Sequence, residues 1–348
     1  MANVTIAIDV MGGDHGPSVT IPAALQVAAK HTDVNLILVG QLDRVEQVLK
    51  QLAIKALPPT VSLHGASQVV EMDDLPSHAM KHKKDSSMRI ALNLVKDGQA
   101  NACVSAGNTG ALMATARFVL KTLPGIERPA LITAFPTMKL GTVARMLDLG
   151  ANVDSSPANL LQFAVMGSVL ASAVSGIPSP RIGLLNVGAE EIKGNEQVKE
   201  TNQLLTHHTG LNYIGYVEGN DLYKGTVDVV VCDGFVGNVA LKSSEGIASL
   251  ILHCLKQGFH KNWYTKLLGL LVMPIMRVVK KHIDPANYNG ACLIGLRGIV
   301  IKSHGGAGVA AFANAISEAL VQARQNIPTL VSEQIAQLLN EPALQESP

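Results

Sequence analysis

Five glycine-rich segments hold the residues of this 348-residue chain best suited to chemistry. They read Gly12-Gly13-Asp14-His15-Gly16, Ser105-Ala106-Gly107-Asn108-Thr109-Gly110, Asn186-Val187-Gly188, Asp233-Gly234-Phe235-Val236-Gly237-Asn238 and Ser303-His304-Gly305-Gly306. Glycine lets backbone N–H groups approach an anion closely, and a following helix adds the positive end of its dipole. Each segment follows a short apolar run. Several such loops in one chain point to a site for phosphate or for a molecule that bears it.

Other chemistries lack their signatures. There is no Walker A sequence, no Gly-x-Ser-x-Gly elbow and no His-Glu-x-x-His. Residues 306–311 mimic a dinucleotide fingerprint, but no later strand is expected to carry the ribose-binding acid. Cys103, Cys232, Cys254 and Cys292 lie far apart, without metal-ligand spacing. A zinc site or a disulfide framework is therefore not expected. Cys103 and Cys232 fall inside apolar runs and read as buried free thiols. Asp9, Asp14, Asp148 and Asp233 end strand-like runs and could bind metal, but loop-fixing roles are expected. The net charge of +1 argues against nucleic acid as a partner.

The elements that must position these loops alternate regularly. Strands are expected at 4–10, 36–40, 61–64, 102–105, 130–135, 144–149, 182–186, 213–217, 227–232 and 298–302. Helices are expected at 17–30, 42–52, 86–97 (capped by Ser86), 110–120, 157–175, 196–207, 238–256 and 307–325. A helix and a polar stub are expected after Asn326. This rhythm predicts an α/β fold, doubly wound, with a mostly parallel sheet and helices on both faces. Apolar residues make up 47% and charged residues 16%, which suits strands buried on both sides. Ligands bind beyond the carboxyl ends of such strands, where the glycine loops fall. We expect one catalytic domain over 1–340, with a protruding amphipathic helical segment at 256–283.

That segment belongs to a stretch, 246–283, without Asp or Glu. It carries Lys256, Lys261, Lys266, Arg277, Lys280 and Lys281 around the apolar run 267–276. The run is too short for the ~20 residues that span a bilayer. Trp263, Leu267, Leu268, Leu271, Val272 and Met276 instead suit a hairpin or helix lying on an anionic membrane. The alternative is a core or dimer-interface helix pair. Pro274 is expected to break or kink the segment. A second basic cluster, Lys81, Lys83, Lys84 and Arg89, reads as a solvated face or as a docking surface for an acidic partner protein. The N-terminus shows no signal peptide, so the expected location is cytoplasmic, peripherally associated with the inner face of the cell membrane.

The motifs also match a known family along almost the whole chain. They are residues 9–17, 104–111, 147–154, 185–188 with Lys193-Gly194, 233–239, and 288–291 leading to Ser303-His304-Gly305. With these six motifs in order, the sequence resembles the PlsX family of bacterial phosphate acyltransferases, which make acyl phosphate from acyl-[acyl carrier protein] and inorganic phosphate. Ala189 departs from the family's Gly-Glu-Glu-Glu run. The resemblance implies a fold similar to phosphotransacetylases and isopropylmalate dehydrogenases. It implies a homodimer that needs no metal and no cofactor and supplies a membrane-bound glycerol-3-phosphate acyltransferase. It makes Lys193 and Asn238 the strongest catalytic candidates. The alternatives are a surface ion pair for Lys193 and a helix cap for Asn238. Gly12, Gly13, Asp14, Ser105, Asn108, Thr109, Asn186, Gly188, Asp233, Gly237, His304 and Gly305 are the candidates for holding phosphate and substrate.

Overall fold

The structure is a computed structural model that describes residues 3–340; the expected polar stub beyond Asn340 lies outside them. Eleven strands form one sheet. In chain order they are β1 (Val4–Asp9), β2 (Val34–Gly40), β3 (Val61–Gly65), β4 (Ala102–Ser105), β5 (Ala130–Pro136), β6 (Val143–Leu147), β7 (Arg181–Leu185), β8 (Asn212–Val217), β9 (Val229–Val231), β10 (Ala291–Ile294) and β11 (Ile299–Lys302). The spatial order is β3-β2-β1-β4-β11-β10-β5-β6-β9-β7-β8.

Alternation along each strand builds two cores. Ile6 and Ile8 face one side and Ala7 the other; Ile299 and Ile301 oppose Val300, and Val229 and Val231 oppose Val230. Strands with both faces covered read as continuous apolar runs, which is why the sequence marks them so plainly. Helix Pro157–Ser175 illustrates the packing. It opens with a capping box between Ser156 and Asn159 and ends at left-handed Gly176. By length and composition it could cross a membrane. Yet Phe163 and Met166 are fully buried, and a Cβ on Gly167 would lie 2.6 Å from Val229, so it is a core helix.

The sheet is mostly parallel, with a reversal at its centre. β3, β2, β1, β4 and β11 run parallel to one another. So do β6, β9, β7 and β8. Three antiparallel pairings, β11 with β10, β10 with β5 and β5 with β6, lie between these blocks. The blocks therefore run in opposite directions. Strand β10 went unread because it is four residues long between Gly290 and Gly295, both at positive φ. All five glycine loops leave the carboxyl ends of strands: three in the first block, two in the second.

Short helices at Pro76–His82 and Asp221–Lys224 are not among those expected, and two longer helices depart from the expected pattern. Gly234–His260 begins four residues before the expected start, because Asp233 caps it by accepting from the Val236 N–H at 2.9 Å. Trp263–Ile283 runs unbroken through Pro274. Its start is secured by a capping box between Asn262 and Thr265. The two helices pack on each other, with Gly269 against Phe259. No described side chain of the second helix is buried. Leu271 is 71% exposed and Trp263 66%. Cys103, Cys232 and Cys292 are buried free thiols, whereas Cys254 on the first of these helices is exposed.

Candidate active site

The first block brings three loops together. Asp9, at the end of β1, is buried and accepts from the Ser105 hydroxyl at 2.7 Å and from the Met11 N–H at 3.3 Å. Burial pushes the Asp9 carboxyl above its ordinary range, and hydroxyls from Ser87 and Ser105 oppose that shift. Ser105 Oγ in turn accepts from the Gly107 N–H at 3.1 Å. A Cβ on Gly12 would lie 2.6 Å from the Gly107 nitrogen, so this contact between loops requires glycine. Gly13 has φ +91°, and the next N–H, that of Asp14, donates to the Gly305 carbonyl at 3.0 Å.

The third loop is clamped by Asn289, which precedes β10. Asn289 Nδ2 donates to Ser303 Oγ at 2.8 Å, and its Oδ1 accepts from the His304 N–H at 2.9 Å. His304 Nδ1 accepts from the Gly306 N–H at 3.1 Å. In the neutral ring the proton therefore sits on Nε2. Asn108 is fully spent on structure. Its Oδ1 caps helix Thr109–Leu120 through the Ala111 N–H, and its Nδ2 donates to the Met72 and Asp74 carbonyls. Thr109, beside it, is exposed.

The second block supplies the opposing wall. Asp148 is fully buried after β6 and accepts from four backbone N–H groups, of Leu131, Gly150, Ala151 and Asn152, and from the Asn152 side chain. Burial raises its pKa while these donors pull it down. The loop after β9 is seated against this one. A Cβ on Gly237 would lie 1.8 Å from the Asp148 carbonyl oxygen. Asp233 and Gly237 therefore fix the helix start. Asn238, the fifth residue of the helix, is exposed and stands against Gly150, with no hydrogen-bond partner for its amide among the described residues. The expected alternative, that Asn238 is merely the helix cap, is thus removed, since Asp233 holds that position.

Thr109, His304, Lys302 and Asn238 line a single cavity of about 680 Å³ between the sheet and helix Gly234–His260. Its far wall is apolar, with Phe135, Leu241, Ile247 and Ile251. Asn186, Gly188 and Lys193 are not on its lining; they sit in the loop after β7, the strand next to β9. Lys193 is paired with Glu190 at 2.8 Å, and that hydrogen bond raises its pKa. Lys302 is a residue that sequence reasoning missed. It ends β11, is 7% exposed, and donates to the Ala106 carbonyl at 3.3 Å and to the Ser303 carbonyl. Burial, with repulsion from Lys242, pushes its pKa down to about 8, against the pull of Asp14 and Asp9. The available signal was its place at a strand end before a glycine loop, matching Asp9 and Ser105. No three His, Cys, Asp or Glu residues converge as a metal site among the described residues.

Comparison with known proteins decides the family. Residues 4–330 match the family described as "Fatty acid synthesis protein". A phosphate acyltransferase from Legionella pneumophila (strain Corby) is 55% identical over 98% of this chain and 99% of its own length. One from Coxiella burnetii (strain Dugway 5J108-111) is 57% identical over 97% of this chain and 98% of its own length. The chain belongs to the phosphate acyltransferase family. A phosphotransacetylase from Streptococcus pyogenes shares its fold, with a TM-score of 0.62 at 17% identity over 92% of this chain and 94% of that one.

In this phosphate acyltransferase the basic cluster adjoins the cradle, because the Met72 and Asp74 carbonyls anchor Asn108. Lys83 is committed to Asp74 and to the Val69 carbonyl. Lys81 and Lys84 are exposed. The Arg89 guanidinium lies 5.0 Å from the centroid of the exposed Phe118 ring, and the Lys121 ammonium lies 4.9 Å from it.

Proposed function

We propose that this phosphate acyltransferase moves a fatty acyl group from acyl-[acyl carrier protein] to inorganic phosphate, giving acyl phosphate and free carrier. The observation that carries this reading is the cavity itself. Its polar end is lined by Thr109 and by the Lys302–Gly308 segment, to which the Gly12–Gly16 loop is joined through the Asp14 N–H on the Gly305 carbonyl, and its far wall is apolar. A phosphate oxygen attacks the thioester carbonyl, the C–S bond then breaks, and the carrier's thiolate leaves. Phosphate is already anionic and the thiolate leaves readily, so positioning and charge stabilisation suffice. Positioning two reactants contributes up to ~7–11 kcal/mol.

The residue roles are part of this proposal and draw on the family resemblance as well as on position. The anion rests on the loops at 12–14, 105–109 and 304–305, whose Asp14, Gly107 and His304 N–H groups are spent on fixing the loops themselves, and the dipole of helix Thr109–Leu120 favours its charge. The unspent amide of Asn238 donates to the developing oxyanion. Lys193, on the neighbouring strand end with Asn186 and Gly188, exchanges Glu190 for the charge of the substrate. His304 Nε2–H meets the departing sulfur. Lys81, Lys84 and Arg89, with Lys83 bracing them, form the docking face for the acidic carrier. Trp263, Leu267, Leu268, Leu271, Val272 and Met276 rest on the inner face of the membrane, which brings product close to a membrane glycerol-3-phosphate acyltransferase. The family resemblance supports a homodimer.

Purified protein incubated with acyl-loaded carrier and orthophosphate should yield acyl phosphate, with acyl-coenzyme A a poorer donor. Absence of that product, or an acyl group trapped on the protein, overturns the reading.

A further inference from the structure

Lys302 is an unusual residue to find inside a sheet. A buried ammonium loses hydration and persists only where partners or a ligand compensate. Two of its N–H groups go to the Ala106 and Ser303 carbonyls, which belong to two of the three cradle loops. An ammonium has three N–H groups, and the third has no acceptor among the described residues. Its side chain lines the same cavity as Thr109, His304 and Asn238. Every charged group facing it is identifiable. Lys242 approaches from helix Gly234–His260 and is itself paired with Glu245 at 2.7 Å; Asp14 and Asp9 approach from the β1 side; His304 shares the cavity. Two lysines turned toward one cavity repel each other, and an anion between them relieves both. The ion pair of Lys193 with Glu190 supplies no such cation here, since Lys193 is off the cavity.

We infer that Lys302 is a direct ligand of the phosphate substrate, giving its third N–H to a phosphate oxygen at the floor of the cavity. This rests on the phosphate acyltransferase reading. It adds the residue that fixes where the nucleophile sits. Binding of the anion holds Lys302 protonated, so phosphate affinity should decline as the free enzyme's lysine loses its proton near pH 8.

The test is steady-state kinetics on the full chain, varying orthophosphate and loaded carrier separately, for wild type, Lys302→Met and Lys302→Arg. Lys302→Met should raise the phosphate KM by about 10- to 100-fold, the cost of losing one charge-assisted hydrogen bond, with the carrier KM unchanged. A merely structural lysine would lower kcat or thermal stability and leave that KM in place, which overturns the inference. If Lys302→Met does not fold, Lys302→Arg decides, because its charge cannot titrate. Between about pH 7 and about pH 9 the phosphate KM of wild type should rise relative to that of Lys302→Arg. Parallel pH profiles overturn the assignment. A wild type that forms no acyl phosphate from either donor instead refutes the reaction itself, so the two failures stay distinct.

Discussion

The loop cradle and the helical pair 234–283 are opposite solutions to placing residues in space. In the cradle, each loop is tied by an interior side chain. Asp9 holds Ser105, Asn289 holds Ser303 and the His304 N–H, and Asp148 gathers four backbone donors on the facing wall. The helical pair has almost no such ties. Its first helix buries only Gly234 and Gly237, and its second buries no described side chain, while large apolar groups stay bare. Charge stabilisation demands groups fixed before the reaction begins, whereas a surface that meets another phase needs exposed apolar area. One helix joins the two regions: Asn238 stands near its start and its far end enters the exposed pair.

The comparison can be broken hardest at Asn238. Asn238→Ala removes a donor from the rigid side and should lower kcat by about 100- to 1,000-fold with the fold intact, checked by turnover in solution alongside circular dichroism. Changing Leu268 and Leu271 to Gln attacks the other side. Vesicle partitioning should fall by about 10-fold or more, while turnover with soluble substrates stays near wild type. An equal loss of turnover would show that the exposed pair and the cradle are not separable. The smallest effect is expected at Lys84→Ala. Losing one rim charge should slow carrier association a few-fold at low salt, and the difference should shrink as salt rises.

Much of the fold was legible because parallel strands buried on both faces leave uninterrupted runs of Val, Ile and Leu. Helix starts at Pro17, Pro157 and Glu196 coincide with those expected from the sequence, each carrying a local start signal. The central reversal was not legible. Residues 291–294 are too few to show a period, and only the pairing with β5 and β11 gives them a role. The site was legible as loops but not as side-chain assignments. Asn108 lost its free amide to the Met72 and Asp74 carbonyls, more than thirty residues away in sequence. Asn238 gained its freedom because Asp233 took the cap. Lysine at a strand end ordinarily marks solvent, and Lys302 is interior because it ends a central strand with its ammonium on the Ala106 and Ser303 carbonyls.

The four thiols of this chain are divided between the two regions. Burial pushes the Cys103, Cys232 and Cys292 thiols upward in pKa, so they remain unreactive inside the sheet. Cys254 alone is open, and it lies on the helical pair. Nature has thereby left a single chemical handle on the apolar arm. A fluorophore or spin label attached there would report on that arm's surroundings without touching the reaction centre.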